Sequence, residues 1–297
     1  VTPEVWLSGR IIIMATTIGN PLSWGVKMLG AAGHDIGAAA RELGSEGAGI
    51  PDVRRIGVED LRAALRLGIA DFAALRSDVI VAALIYPIAG ACLVWLAFHR
   101  NLLPLAFPLL AGFALVGPAA AVGLYEMSRR REAGEAVGWG DAFGVLRSPR
   151  FGAILALALG HLAVFVLWIL SAHVISQATL GDAVPTSTGP FLTAVLTTPE
   201  GWAMMALGLP VGFLFACLVL MTSVVSFPLL LDRAVGLPVA VVTSVRVARE
   251  NPATIALWGF IVALGLVLGS LPLLVGLAVV MPVLGHATWH LYRRAVV

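Results

Sequence analysis

Six apolar stretches constrain this chain more than any other feature: Val79 to Phe98, Leu102 to Tyr125, Phe151 to Ile175, Trp202 to Val225, Ala253 to Gly269 and Pro272 to Tyr292. None carries an Asp, Glu, Lys or Arg well inside it. Each is roughly 17 to 25 residues long, enough at about 1.5 Å per residue to cross about 30 Å of hydrocarbon. Lipid offers the backbone no hydrogen bonds, so such segments must satisfy their own amides and carbonyls as helices. Composition agrees, because 59% of the residues are apolar and only 12% are charged. A soluble globule carries roughly 25% charged residues, so a water-soluble enzyme is excluded. The expected fold is an all-α membrane protein with six transmembrane helices in three hairpins.

The connections make the pairs. His99, Arg100 and Asn101 join the first two spans, and Ser270, Leu271 and Pro272 join the last two, with Pro272 suited to the first turn of the final helix. The middle pair is separated by the polar stretch from Ser176 to Gly201, which holds Pro185, Pro190 and Pro199. A short amphipathic helix is expected there around Phe191 to Leu196, lying on the outer leaflet.

Orientation follows from basic residues, which cytoplasmic flanks keep and translocated segments lose. With both termini on one side, that side holds Arg10, Lys27, Arg41, Arg54, Arg55, Arg62, Arg66 and Arg76, then Arg129, Arg130, Arg131, Arg147 and Arg150, then Arg233, Arg246, Arg249, Arg293 and Arg294. Of the 19 basic residues only Arg100 falls opposite. The expectation is a multi-pass protein of the bacterial cytoplasmic (inner) membrane with both termini cytoplasmic. The basic character belongs to this asymmetry, so no nucleic-acid partner is implied; lipid is the expected partner, with other membrane proteins or a second copy beside it.

A motif recurs before each hairpin: Arg76-Ser77-Asp78, Arg147-Ser148-Pro149 and Arg249-Glu250-Asn251-Pro252. Ser or Asn can cap free amides at a helix start, Pro tolerates the first helical position, and Arg can snorkel to headgroups. Each motif ends an amphipathic segment, so every hairpin is expected to follow a cytoplasmic interfacial helix. In the first, Val58, Leu61, Leu65, Ile69, Phe72 and Leu75 share one face and Arg62 and Arg66 flank it. The second is short, with Trp139, Phe143 and Leu146; Pro238 opens the third, with Val242 and Val245 on one side. The domain reading is a Gly- and Ala-rich, weakly ordered cytoplasmic segment over residues 1–56 and a six-span domain over 57–297. Val1 suggests a non-ATG start or a trimmed fragment, with Met14 an alternative beginning. Cys92 and Cys217 lie in apolar runs, where they act as small hydrophobes.

Chemistry-bearing residues are few. His161 lies ten residues into the third span, about 15 Å deep, and is a candidate contact for a solute or a proton. A neutral His bonded to a neighbouring helix is the commoner meaning of such a residue. His286 and His290 are four apart and share a helix face, the spacing that offers two imidazoles to a metal, although zinc wants at least one further ligand. Interfacial His beside Trp289 and Tyr292 is the commoner arrangement. Tyr125, Glu126 and Asp232 fall at the same depth and could converge with the two His on a polar vestibule. Simple pairing of Glu126 with Arg129 and Arg130, and of Asp232 with Arg233, is the default. The prolines within spans and Gly112, Gly117, Gly123, Gly152, Gly160, Gly265 and Gly269 fit either interrupted transporter helices or close helix packing. No P-loop, GxSxG, HExxH or CxxC motif occurs in the sequence, and no catalytic residue is assigned.

Several strings resemble one bacterial integral membrane family, domain-of-unknown-function family 2189 (DUF2189). They run through IGVEDLRAALRLGIADFAALRSDVI (56–80), FPLLAGFALVGPAAAVGLYEMSRRREAG (107–134), DAFGVLRSPRFGAI (141–154), SFPLLLDR (226–233) and PVLGHATWHLYRR (282–294). The most specific are LYEMSRRRE and GHATWHLYRR. The resemblance implies a multispan inner-membrane protein and transfers no activity, cofactor or site residue. The leading functional expectation is therefore a non-enzymatic accessory or assembly component. Its alternatives are a transporter with a polar site at His161, a haem- or metal-binding subunit using His286 and His290, and a membrane enzyme acting on lipid.

Overall fold

Proline has no amide hydrogen and its ring crowds the carbonyl four residues back, so it can end one helix and open the next, although Pro108, Pro118, Pro210 and Pro282 stand inside unbroken helices. The computed structural model, which describes residues 49–99, 102–181, 185 and 187–297, shows this twice. Helix α1 (Val58–Ala83) gives way to α2 (Ile85–His99) just before Pro87. After α3 (Leu103–Ala120), α4 (Val122–Glu132), a 3-10 helix (Trp139–Arg147), α5 (Phe151–Leu180) and α6 (Thr188–Thr197), helix α7 (Pro199–Ser223) gives way to α8 (Ser226–Asp232) just before Pro228. The chain ends with α9 (Leu237–Glu250), α10 (Pro252–Ser270) and α11 (Leu277–Ala295). Among the described residues the only β feature is one antiparallel bridge between Val53 and Val296, so the all-α expectation holds. The Gly- and Ala-rich stretch through residue 48, with Val1 and Met14, lies outside the described residues.

Among the described residues, four rods are long and apolar enough to cross a membrane: Leu103–Glu132, Phe151–Leu180, Pro199–Asp232 and Pro252–Ser270. The expected first arm is instead a composite of the last turns of α1 and the 15 residues of α2. The expected last arm starts at Leu277 rather than Pro272, because residues 271–276 form an irregular turn with Leu273 (φ 51°) and Leu274 (φ 68°) in the left-handed region. The loop between α5 and α7 contains the short helix α6, three residues longer at its start than expected.

The capping motifs work differently from expectation. Helix α1 runs unbroken through 76–78, so no helix starts there. Ser148 accepts from the Arg150 amide at 3.2 Å, ahead of the α5 amides. Asn251 does precede α10, with Pro252 in the first turn, but its side chain is spent elsewhere. Its Oδ1 accepts from the Ile56 amide at 2.8 Å, and its Nδ2 donates to Arg54 O at 3.3 Å and Val247 O at 3.1 Å. The segment before α1 is held similarly by the C-terminal tail: Arg54 N donates to Ala295 O and Val297 N to Asp52 O, both at 2.9 Å.

The amphipathic segments gather at the basic end around a shared core that includes Leu61, Tyr125, Met127, Phe227, Leu230, Trp289 and Tyr292. Helix α1 shows why the expected face is displaced. Its buried stripe is Leu61, Ala64, Gly68, Asp71 and Leu75, while Val58 and Ile69 are exposed. A β-carbon at Gly68 would stand 2.6 Å from the Ala287 amide nitrogen. Small residues let α1 and α11 approach closely, and that contact sets the seam rather than the largest side chains. Farther out, Trp168 fills a similar role: its ring lies between Gly112 and Gly212, and its Nε1 donates to Pro108 O at 2.9 Å. Gly160, by contrast, has open space around it.

Candidate functional site

Residues four apart on a helix point the same way, so α11 turns His286 and His290 toward the seam where α1 and α4 cross it. Both imidazoles reach one carboxylate, Asp71 of α1, which is 6% exposed. His290 Nε2 lies 2.8 Å from Asp71 Oδ2. His286 reaches the same oxygen through α4: its Nδ1 lies 2.8 Å from Ser128 Oγ, and Ser128 donates to Asp71 Oδ2 at 2.7 Å. The single hydroxyl proton of Ser128 is thus spent on the carboxylate. It follows that His286 Nδ1 carries a hydrogen and donates it to Ser128. His286 Nε2, on the other side of the ring, is buried. Arg131 completes the cluster with Nε 3.3 Å from Asp71 Oδ1. Burial pushes the Asp71 carboxyl up, but the hydrogen bonds from His290 and Ser128 outweigh it and hold the group below its usual range.

Glu126, on another face of α4, belongs to a second lattice. Arg129 grips it with two bonds, Nε to Oε2 at 2.7 Å and Nη2 to Oε1 at 2.8 Å, and Arg130 Nε adds a third at 2.7 Å. Arg130 also donates to Asp141 of the 3-10 helix at 2.8 Å. Asp232 heads a third lattice, accepting from Tyr292 OH at 2.6 Å and Arg293 Nη1 at 3.3 Å. Arg293 and Trp289 both reach Glu132 as well, at 3.2 and 2.9 Å.

The sequence candidates therefore do meet at one end of the molecule, but as three lattices around α4 rather than on one vestibule. His286 and His290 share the first, Glu126 stands in the second and Asp232 in the third, while Tyr125 is buried in the apolar core. His161 stands apart on α5, with Nδ1 2.9 Å from Leu157 O and Nε2 3.3 Å from the Thr222 hydroxyl of α7. Among the described residues, no three His, Cys, Asp or Glu side chains are arranged to hold a metal ion. Asp71 is the nearest third group to the two His, and Ser128 and Arg131 already occupy it. Sequence reasoning passed over Asp71, Ser128 and Arg131. The available signal was Asp71's place in the 61, 64, 68, 71, 75 spacing, which puts a carboxylate on the packed stripe of α1.

A family model described as "Predicted integral membrane protein (DUF2189)" matches residues 106–232. That segment runs from α3 through α8, so the resemblance is borne out there, and it includes Glu126, Ser128, His161 and Asp232. No curated protein and no solved structure matches the chain. With the long apolar helices, the match makes this an integral membrane protein whose segment 106–232 is similar to that family.

Proposed function

We propose that the protein is a non-enzymatic accessory or assembly component of the bacterial cytoplasmic membrane, presenting helix surfaces to other membrane proteins or to a second copy of itself. In this reading the arginine-rich end and both termini face the cytoplasm, and three hairpins enter the bilayer from that side. One contrast carries the reading. Asp71, Glu126 and Asp232, the carboxylates that head the lattices at the basic end, are already engaged by the protein's own Arg, His, Ser or Tyr groups. The outer helix faces are instead uncovered, with large apolar side chains such as Leu170, Phe213, Phe260 and Leu264 exposed. Groups paired to one another in this way are occupied by the fold itself, which supports the non-enzymatic reading.

The test is photocrosslinking in living cells from benzoylphenylalanine placed at Leu264 of α10 and at Leu170 of α5. Discrete protein adducts, to a partner or to a second copy, are the expected result. Adducts to lipid alone, with a solute flux in reconstituted vesicles that disappears in His161→Ala, would replace this reading with a permease. That second reading draws on one observation, the link His161 makes between α5 and α7 through Thr222.

A further inference from the structure

Polar side chains mark where a hairpin turns in water. The connection from α5 to α6 reads Gly-Asp-Ala-Val-Pro-Thr-Ser over 181–187, and Arg100 and Asn101 lie between α2 and α3. The turn from α10 to α11 is of another kind. It reads Leu271-Pro272-Leu273-Leu274-Val275-Gly276, and the preceding Ser270 returns its hydroxyl to Leu266 O at 2.8 Å. Leu271, Leu273 and Val275 are 73%, 90% and 65% exposed, so the protein itself leaves them uncovered.

The backbone of this turn bonds each of its own amides except that of Gly276. The amides of Leu271, Leu273, Leu274, Val275 and Leu277 donate to the carbonyls of Val267, Leu271, Ser270, Pro272 and Leu274, at 2.9 to 3.2 Å. Pro272 has no amide hydrogen to place. This closure puts two leucines in the left-handed region, where a β-carbon crowds its own carbonyl. In water a glycine or asparagine would serve, and solvent would take up loose amides; in hydrocarbon every amide must be bonded internally.

Depth agrees with chemistry. Leu274 packs on α2 at Gly90, where a β-carbon would stand 3.0 Å from Leu274 Cδ1. Gly90 precedes His99 by nine residues, so the turn stops about 13 Å short of the end of α2 at helical rise. The same shortfall appears from the other side. His286 and Ser128 are at one level, bonded to each other. From there α11 reaches back only to Leu277, about 13 Å, and α10 is about 28 Å long in all, whereas the α3–α4 rod reaches back to Leu103, about 37 Å.

We infer that α10 and α11 form a re-entrant hairpin, which enters from the basic face, turns among the acyl chains at Leu271 to Gly276, and returns. Its apex is a lipid-tail contact surface, not a loop on the opposite face. Both of its ends remain at the basic side, so the orientation is unchanged. The inference rests on the bilayer placement proposed above and is independent of the accessory role.

A nitroxide at Leu273→Cys, in a Cys92→Ser, Cys217→Ser background reconstituted into phosphatidylethanolamine and phosphatidylglycerol vesicles, tests it. Leu167→Cys in α5 serves as a mid-span reference and Ser187→Cys as an aqueous one. The expected result is frequent collision with oxygen and little with a water-soluble nickel chelate, as at Leu167. Collision with the chelate as at Ser187, or labelling of Leu273→Cys by an impermeant maleimide from either side, would overturn the re-entrant hairpin. Chelate access at Leu167 itself would instead overturn the bilayer placement.

Discussion

The basic end of the molecule and the helices that leave it are held by opposite means. At the basic end, α1, α4 and α11 bury carboxylates that are only 6% (Asp71) and 4% (Glu126) exposed, each matched by cationic or hydroxyl partners. Farther out, only 17% of the apolar α10 stretch is covered by the rest of the protein. Lipid tails are as apolar as leucine, so out there only shape and occasional hydrogen bonds hold helices together. The lesson is that chemically identical substitutions should weigh heavily at one end and little at the other.

Asp71→Ala is expected to have the largest effect, because it leaves Arg131, His290 and Ser128 without their shared acceptor. Removing one member of a buried pair costs about 3–5 kcal/mol. Thermal unfolding in detergent measures this, and a shift no larger than that of an exposed mutant such as Glu59→Ala would break the comparison. Two tryptophans sharpen it. Trp258, 2% exposed, should cost about 3 kcal/mol or more as Trp258→Ala, whereas Trp202, 60% exposed, should cost under about 1 kcal/mol as Trp202→Ala. Glycines give a smaller contrast by the same assay. Gly68→Val must separate α1 from α11 and should cost about 1–3 kcal/mol, whereas Gly160→Val enters open space and should leave the melting temperature unchanged.

The smallest expected effect is in pH. Asp71 is held below its unfolded value, about 3.9, so its pairing stabilises the fold above that pH and is lost as pH falls through the folded value. Wild-type protein should therefore lose stability below about pH 4 more steeply than Asp71→Asn. Parallel curves for the two would remove Asp71 from that role.

How much of this was legible in the sequence depends on how local the cause is. The helical class, the gathering of arginines at one end and the common face of His286 and His290 follow from composition and spacing within single segments. The break before Pro87 was not foreseen within the expected span from Val79 to Phe98, because a missing amide alone does not decide it: Pro108, Pro118, Pro210 and Pro282 stand inside unbroken helices. The α1 seam is not local: apolar periodicity weights large side chains, and the contact at Gly68 and Ala287 depends on a helix more than two hundred residues away. Asp71 was overlooked for the same reason, because its partners Ser128 and His290 come from α4 and α11. The last apolar run looked like a complete crossing because hydropathy counts residues without registering that, from His286 onward, α11 is packed into the polar lattices.

The central claim is that the arginine-rich end lies on one side of a bilayer and the α6 region on the other. Impermeant maleimide labelling of Ser187→Cys and Glu135→Cys, in intact cells and in inverted vesicles, tests it most directly. The account predicts that Ser187→Cys reacts only in intact cells and Glu135→Cys only in inverted vesicles. Reaction of both from the same side, or the reverse pattern, would contradict it.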